Sequence, residues 1–187
     1  MKNIKFSVLF LLSIAAGLSL QFKNTAKLFV FESGSISFYS ETPVENIAAK
    51  NNLYAAALKP TTKQFAFAVQ MDGFQFEKKL MQEHFNENYM ESEKYPKATF
   101  AGVIAEDVDL LKEGTYELSA KGKLNIHGVE KERTIPVTLT SKGGKLSFKS
   151  AFQVKLVDHD IEVPSLVVTN IAEIIDVKVD GVLKEKE

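Results

Sequence analysis

Beyond the first two dozen residues, apolar and polar side chains alternate with period two along most of the chain. Phe65, Phe67 and Val69 alternate with Ala66, Ala68 and Gln70, the pattern of a strand with one strongly apolar face. Tyr116, Leu118 and Ala120 lead through Gly122 to Leu124 and Ile126, all of one parity. That predicts a long strand bending at Gly122, where a missing side chain eases curvature. Ile135, Val137 and Leu139 run into Ser141-Lys142-Gly143-Gly144, and Leu146, Phe148, Phe152, Val154 and Leu156 resume beyond it. This is the signature of a hairpin with a Gly-Gly turn. Ile36 and Phe38 mark an early strand; Ile175, Val177 and Val179 mark a last one.

One stretch has helical spacing. Over residues 77–93 the apolar positions Leu80, Met81, Phe85 and Tyr89 fall on one face with charged residues between them. Pro96 is expected to end this helix, because proline disfavours helical geometry in the residue before it. A second helical turn is expected over 43–50, with Thr42 as N-cap and Glu45 three residues on. The first residues read differently: Lys2 and Lys5 precede an apolar run over 6–20 that Gln21 and Lys23 close. That reads as a secretory signal, the alternative being an uncleaved membrane anchor, for which the run falls short of the ~20 residues a span needs. Gly17 and Ser19 place cleavage after Ser19, with Ala15 and Gly17 offering a site two residues earlier. The expected organisation is therefore a signal peptide over 1–19 and one domain over 20–187.

Many long strands with a single short helix imply an all-β domain whose antiparallel sheet closes on itself, the main way such a sheet avoids open edges. A barrel of about eight strands can hold a small ligand. Alternation alone is equally compatible with a two-sheet sandwich around a solid core. The length of 187 residues suits one domain. Balanced charge, 23 basic against 24 acidic residues, argues against nucleic acid as a partner. The absence of cysteine excludes disulfides, zinc-thiolate sites, iron–sulfur clusters, cysteine nucleophiles and a lipidated cysteine. Fourteen phenylalanines without a tryptophan imply a large apolar interior or cavity.

Three blocks then suggest a family. Leu80-Met81-Gln82-Glu83-His84-Phe85-Asn86-Glu87-Asn88-Tyr89-Met90-Glu91-Ser92, followed by Tyr95-Pro96-Lys97-Ala98-Thr99-Phe100-Ala101-Gly102, resembles the signature of the YceI family. Gly122-Lys123-Leu124-Asn125-Ile126-His127-Gly128-Val129 resembles its "G-x-L-x-I-H-G-V" strand. Residues 152–161 resemble its "F-x-V-x-x-x-D-[YH]-x-I" stretch. The segment from Glu32 to Tyr39 keeps an "S-x-I-x-F" core, whereas 43–50 departs from the common pattern. The resemblance implies a lipocalin-like, eight-stranded antiparallel β-barrel with one short amphipathic helix. It further implies export to the periplasm and binding of a polyisoprenoid or other long-chain amphiphile in an extended internal pocket, with no catalytic chemistry.

A prenyl chain has no hydrogen-bonding groups, so it needs only an apolar tube, and each buried methylene contributes roughly 0.8 kcal/mol. The wall candidates on the dominant apolar parity are Phe38, Phe65, Phe67, Val69, Phe100, Leu124, Ile126, Phe148, Phe152 and Val154. The same residues could equally fill an ordinary core. Met81, Phe85 and Tyr89 join them if the helix lines the mouth rather than plugging one end. For a charged head group the candidates are Lys78 and Lys97, with Lys79 and Lys94 nearby, and His127 and His159.

The histidines also invite other chemistries. His84, His127 and His159 lie far apart with no H-x-x-x-H or H-x-H spacing, so a metal site would need Glu83, Glu87, Asp158 or Asp160 brought in by the fold. None is expected. A hydrolase or isomerase would use His159 with Asp158 or Asp160, or His127 with Ser150, yet the chain has no nucleophile elbow and no phosphate-binding glycine loop. His127 also suits a strand-end role, its ring bonding a loop carbonyl, and Asp158-His159-Asp160 suits a polar turn. The expected protein is a cofactor-free carrier of an isoprenoid or fatty-acid-like molecule, with no stable membrane insertion after signal cleavage and a homodimer left open. The alternatives are a solid-core interaction domain or a histidine-dependent hydrolase or isomerase.

Overall fold

The structure is a computed structural model, and the residues described are 27–52, 54–164 and 170–187. The expected signal peptide lies outside them. Ten strands appear: β1 (Phe29–Glu41), β2 (Asn46–Asn51), β3 (Tyr54–Lys59), β4 (Gln64–Gln70), β5 (Gln75–Phe76), β6 (Lys97–Ile104), β7 (Gly114–Ile126), β8 (Val129–Lys142), β9 (Lys145–Lys155) and β10 (Ile174–Glu185). Eight close a ring of antiparallel neighbours, β1-β3-β4-β6-β7-β8-β9-β10, with β10 returning to β1 over ten residue pairs. β2 continues the line of β3 along the upper half of β1 and carries the short β5 on its other edge. The architecture is thus a closed eight-stranded antiparallel barrel with one short helix.

Inward parity is set strand by strand, and one irregularity corrects it. In β1, Phe29 and Phe31 point in on odd numbers, whereas Ile36, Phe38 and Ser40 do so on even ones. The register slips between Phe31 and Ser33, and a bulge there lets one extra residue reset the alternation. Gly122 faces Gly102 across the β6–β7 pair, and a Cβ on it would sit 2.2 Å from the Ala101 carbonyl oxygen, so close backbone approach explains the glycine. Gly143 and Gly144 take φ of 56° and 75°, the two left-handed residues of a type I′ hairpin turn, as the sequence predicts.

β8 and β9 pair only from Thr138 and Lys149 to the hairpin turn. Below that point side chains stitch the parted strands. The Ser150 hydroxyl donates to the Pro136 carbonyl (2.7 Å) and Arg133 donates to the Gln153 carbonyl (2.7 Å). His159, completely buried in a 3-10 turn over Leu156–His159, donates Nδ1–H to the Val129 carbonyl (3.1 Å).

The core falls into two clusters, one at each end. The first gathers Phe29, Leu58, Ile104, Leu118, Leu139, Leu146 and Leu183 around Leu110, a fully buried residue of the β6–β7 loop that closes this end. The loop is fixed by Glu106 accepting the Ser119 N–H (2.8 Å) and by the Tyr116 hydroxyl donating to the Lys112 carbonyl (2.8 Å). The second cluster, with Ile36, Tyr54, Val69, Met71, Phe74, Met90 and Ile161, lies under the helix.

Two helical expectations need correction. Residues 43–50 form no helix: a turn leads into β2, and Ile47 and Ala49 pair across β1 with Ser40 and Phe38. Thr42 does act as a cap, its hydroxyl accepting the Val44 and Glu45 N–H groups (3.3 and 3.1 Å) and donating to the Glu45 carbonyl. Cross-strand pairing with β1 outweighs the local signal. The helix expected over 77–93 is shorter: α1 spans Lys79–His84 and widens into a π-turn over Phe85–Tyr89. Pro96 does not end it. Glu91, at φ 42°, reverses the chain, and the Ser92 N–H closes on the Asn86 carbonyl at 2.8 Å.

Candidate functional site

Between the two clusters the barrel holds a cavity of about 380 Å³, within the range of small-molecule sites. All thirteen apolar residues singled out from the sequence lie on its wall, from Phe65 and Phe100 to Phe148, Phe152 and Val154. Strand alternation explains why so many face in: β4, β6, β7, β9 and β10 each turn one apolar row toward the axis. At mid-barrel Ala56 packs against both core clusters, its small side chain leaving the lumen open.

The helix end is built from aromatic rings. Phe85, the first residue of the π-turn, stacks on Phe38 (centroids 5.4 Å apart), meets Phe74 edge-on (5.6 Å) and tilts against Phe76 (5.1 Å). The π-turn sets Phe85 and Tyr89 four residues apart on the lumen side, so the helix lines the cavity that it covers. Phe74 and Phe76 escaped the sequence reading, although their own alternation around Gln75 was the available signal. Ile171 and Asn170, which follow β9 by a long connection, carried no periodic signal at all.

Polar groups on the wall are few, and apart from Thr99 and Ser150 on the strands they lie toward this end. They include Ser40, Glu45, His84 and Asn170. Ser40 accepts the Ala172 N–H at 2.9 Å, tying β1 to the segment before β10. Glu45, in the β1–β2 turn, accepts from the Lys78 ammonium at 2.7 Å and from the Asn170 side chain. The Lys78 hydrogen bond holds the Glu45 carboxyl below the usual range, against the smaller opposing effect of desolvation. So the β1–β2 turn, the helix start and the segment before β10 meet in one charged contact at the rim.

None of the four head-group candidates borders the cavity. Lys78 is engaged by Glu45, and Lys97 lies exposed on β6. His127, left-handed at φ 53° in the β7–β8 turn, sets Nδ1 3.2 Å from the His159 carbonyl and Nε2 2.9 Å from the Glu91 carboxylate. Its ring meets Tyr95 edge-on at 4.5 Å. Ser150 donates to Pro136, and among the described residues neither histidine shares a hydrogen bond with a serine. Among the described residues no cluster of His, Asp and Glu is arranged to hold a metal ion.

These contacts bring together the three blocks that suggested a family: Glu91 and Tyr95 from the first, His127 from the second, His159 from the third. The family model for the YceI-like domain matches residues 20–183. The chain belongs to the YceI family. No curated protein matches it. Among solved structures, Burkholderia cenocepacia BcnA has a TM-score of 0.68 at 20% identity, covering 80% of this chain and 95% of that one. A polyisoprenoid binding domain from Saccharophagus degradans, implicated in plant cell wall breakdown, has a TM-score of 0.69 at 11% identity and covers 84% and 98%. The Campylobacter jejuni YceI protein has a TM-score of 0.57 at 13% identity, over 100% and 94%. At these identities the likeness establishes the shared fold.

The junction of YceI blocks has a consequence for stability. Burial pushes the pKa of His159 down from the ordinary histidine range, and the bond to the Val129 carbonyl restores only part of it. An unfolded histidine titrates near ~6.5. As pH falls below that value, the unfolded chain takes up a proton that the folded one refuses, so folding stability falls until the depressed folded pKa is passed. Urea unfolding between pH 7.5 and 5.5 is expected to show this loss in the wild type and a shallower slope in His159→Asn. Parallel slopes would remove His159 from the account.

Proposed function

We propose that this YceI-family protein is a non-catalytic carrier that captures a long-chain isoprenoid or similar amphiphile inside its barrel. The observation that carries the reading is the cavity itself: about 380 Å³ of space running between two aromatic and aliphatic clusters, with few polar side chains on its wall and its one carboxylate toward one end. A wall of that kind offers an aliphatic chain its hydrophobic transfer energy and asks no hydrogen bond of it. The polyisoprenoid binding domain among its structural neighbours supports the same class of ligand. We read residues 1–19 as an export signal and 20–187 as the carrier domain, which places the protein in the periplasm. Among the described residues no helix is long and apolar enough to cross a membrane. The reading is tested by asking whether the folded protein carries a solvent-extractable chain and takes one up one-to-one.

A further inference from the structure

A carrier for amphiphiles must accommodate a head as well as a chain, and the rim of this cavity is selective about charge. Among the described residues no lysine or arginine lies on the cavity wall, whereas one carboxylate, Glu45, does. The cation paired with it, Lys78, stands outside the wall with its side chain largely exposed, and its ammonium is held by Glu45 at 2.7 Å. The other polar wall groups include Ser40, His84, Tyr89, Thr99 and Asn170, which offer dipoles and hydrogen bonds rather than a fixed positive charge.

We propose that Glu45 is a specificity-determining residue that makes the mouth accept neutral heads, such as a hydroxyl or carbonyl, and reject phosphate or carboxylate heads. This rests on the carrier reading. An anionic head drawn to the rim by its buried chain would meet the Glu45 carboxylate at short range, where partial exclusion of water strengthens repulsion between like charges. To be accepted it would have to take Lys78 away from Glu45, leaving that carboxylate without its cation and with only the Asn170 hydrogen bond. A neutral head leaves the Lys78–Glu45–Asn170 contact intact. The contact thus serves as a filter.

The test compares geranylgeraniol with geranylgeranyl monophosphate, two probes with the same chain, each titrated by displacement of a fluorescent apolar dye at pH 8 and low salt. The wild type is expected to bind the alcohol about tenfold or more tightly than the phosphate, a difference of about 1.4 kcal/mol or more. Glu45→Gln is expected to narrow that ratio to about threefold or less. Lys78→Gln, which leaves Glu45 uncompensated, is expected to widen it. Reading a ratio within each variant removes any loss of folded protein from the comparison. A wild type that prefers the phosphate, or a Lys78→Gln variant that selectively loses phosphate binding, would overturn the inference, since Lys78 would then be a head-group receptor. Equal ratios in the wild type and Glu45→Gln would overturn it too, while leaving the carrier reading standing. If neither probe binds any variant, both readings fail.

Discussion

Ala56→Phe is expected to weaken capture of a prenyl chain about two-hundredfold while the barrel remains folded. Ala56 sits on β3 where the two core clusters meet, and its methyl borders the lumen. A phenyl ring there occupies space that a guest chain would fill. If it excludes about four methylenes, it removes about 3 kcal/mol of transfer energy, hence the factor of about two hundred. The same ring fills empty volume lined by apolar atoms, so thermal stability should stay level or rise. Melting by circular dichroism, paired with prenol titration, separates the two effects. A folded variant that binds with unchanged affinity would mean that the chain does not lie in this lumen.

Gly34→Ala is expected to cost about 3 kcal/mol or more of stability. Gly34 pairs with Gly181 on the β1–β10 seam that closes the barrel. Its φ of 152° is one that side chains rarely adopt, and a Cβ would fall 2.2 Å from the Asp180 carbonyl oxygen and 2.3 Å from the Tyr54 hydroxyl. That hydroxyl donates to the same carbonyl at 2.6 Å across the glycine pair, so neither neighbour can withdraw without breaking the seam. For a domain of this size the loss corresponds to a melting point lower by about 6–12 °C. Gly143→Ala is the control: it has left-handed φ but nothing within 4 Å, so only backbone strain of about 1–2 kcal/mol is expected. Equal losses in the two variants would mean that crowding at the seam is not what Gly34 relieves.

Alternation made the wall legible. Because side chains on a strand repeat every second residue, the inward row of each long strand could be read directly, and Phe65, Leu124, Phe148 and Val154 reach the lumen for that reason. What alternation cannot give is the angle between strands, so it left a closed tube and a filled sandwich equally open. The bulge after Phe31 is hidden for a related reason: a reset of parity looks, in one dimension, like two unrelated short patterns. The β1–β2 turn was misread because Thr42 and Glu45 supply a helix cap locally, while pairing with β1 decides the outcome from a distance. Lys78 and Glu45 are 33 residues apart, and no spacing in the chain announces their contact. Nor does anything in the β6–β7 loop mark Leu110, rather than the adjacent Leu111, as the plug of the far end, since two leucines in a row give no choice of face.

The most direct test is to isolate the mature protein from a host that makes isoprenoids, weigh it intact by native mass spectrometry, and extract it with organic solvent. The carrier account requires an excess of several hundred daltons over the polypeptide, released by solvent as a long-chain lipid and restored one-to-one when that lipid is added back. A protein that keeps the bare polypeptide mass, and takes up neither prenols nor fatty acids on addition, would contradict it and return weight to a β-domain acting through its outer surface.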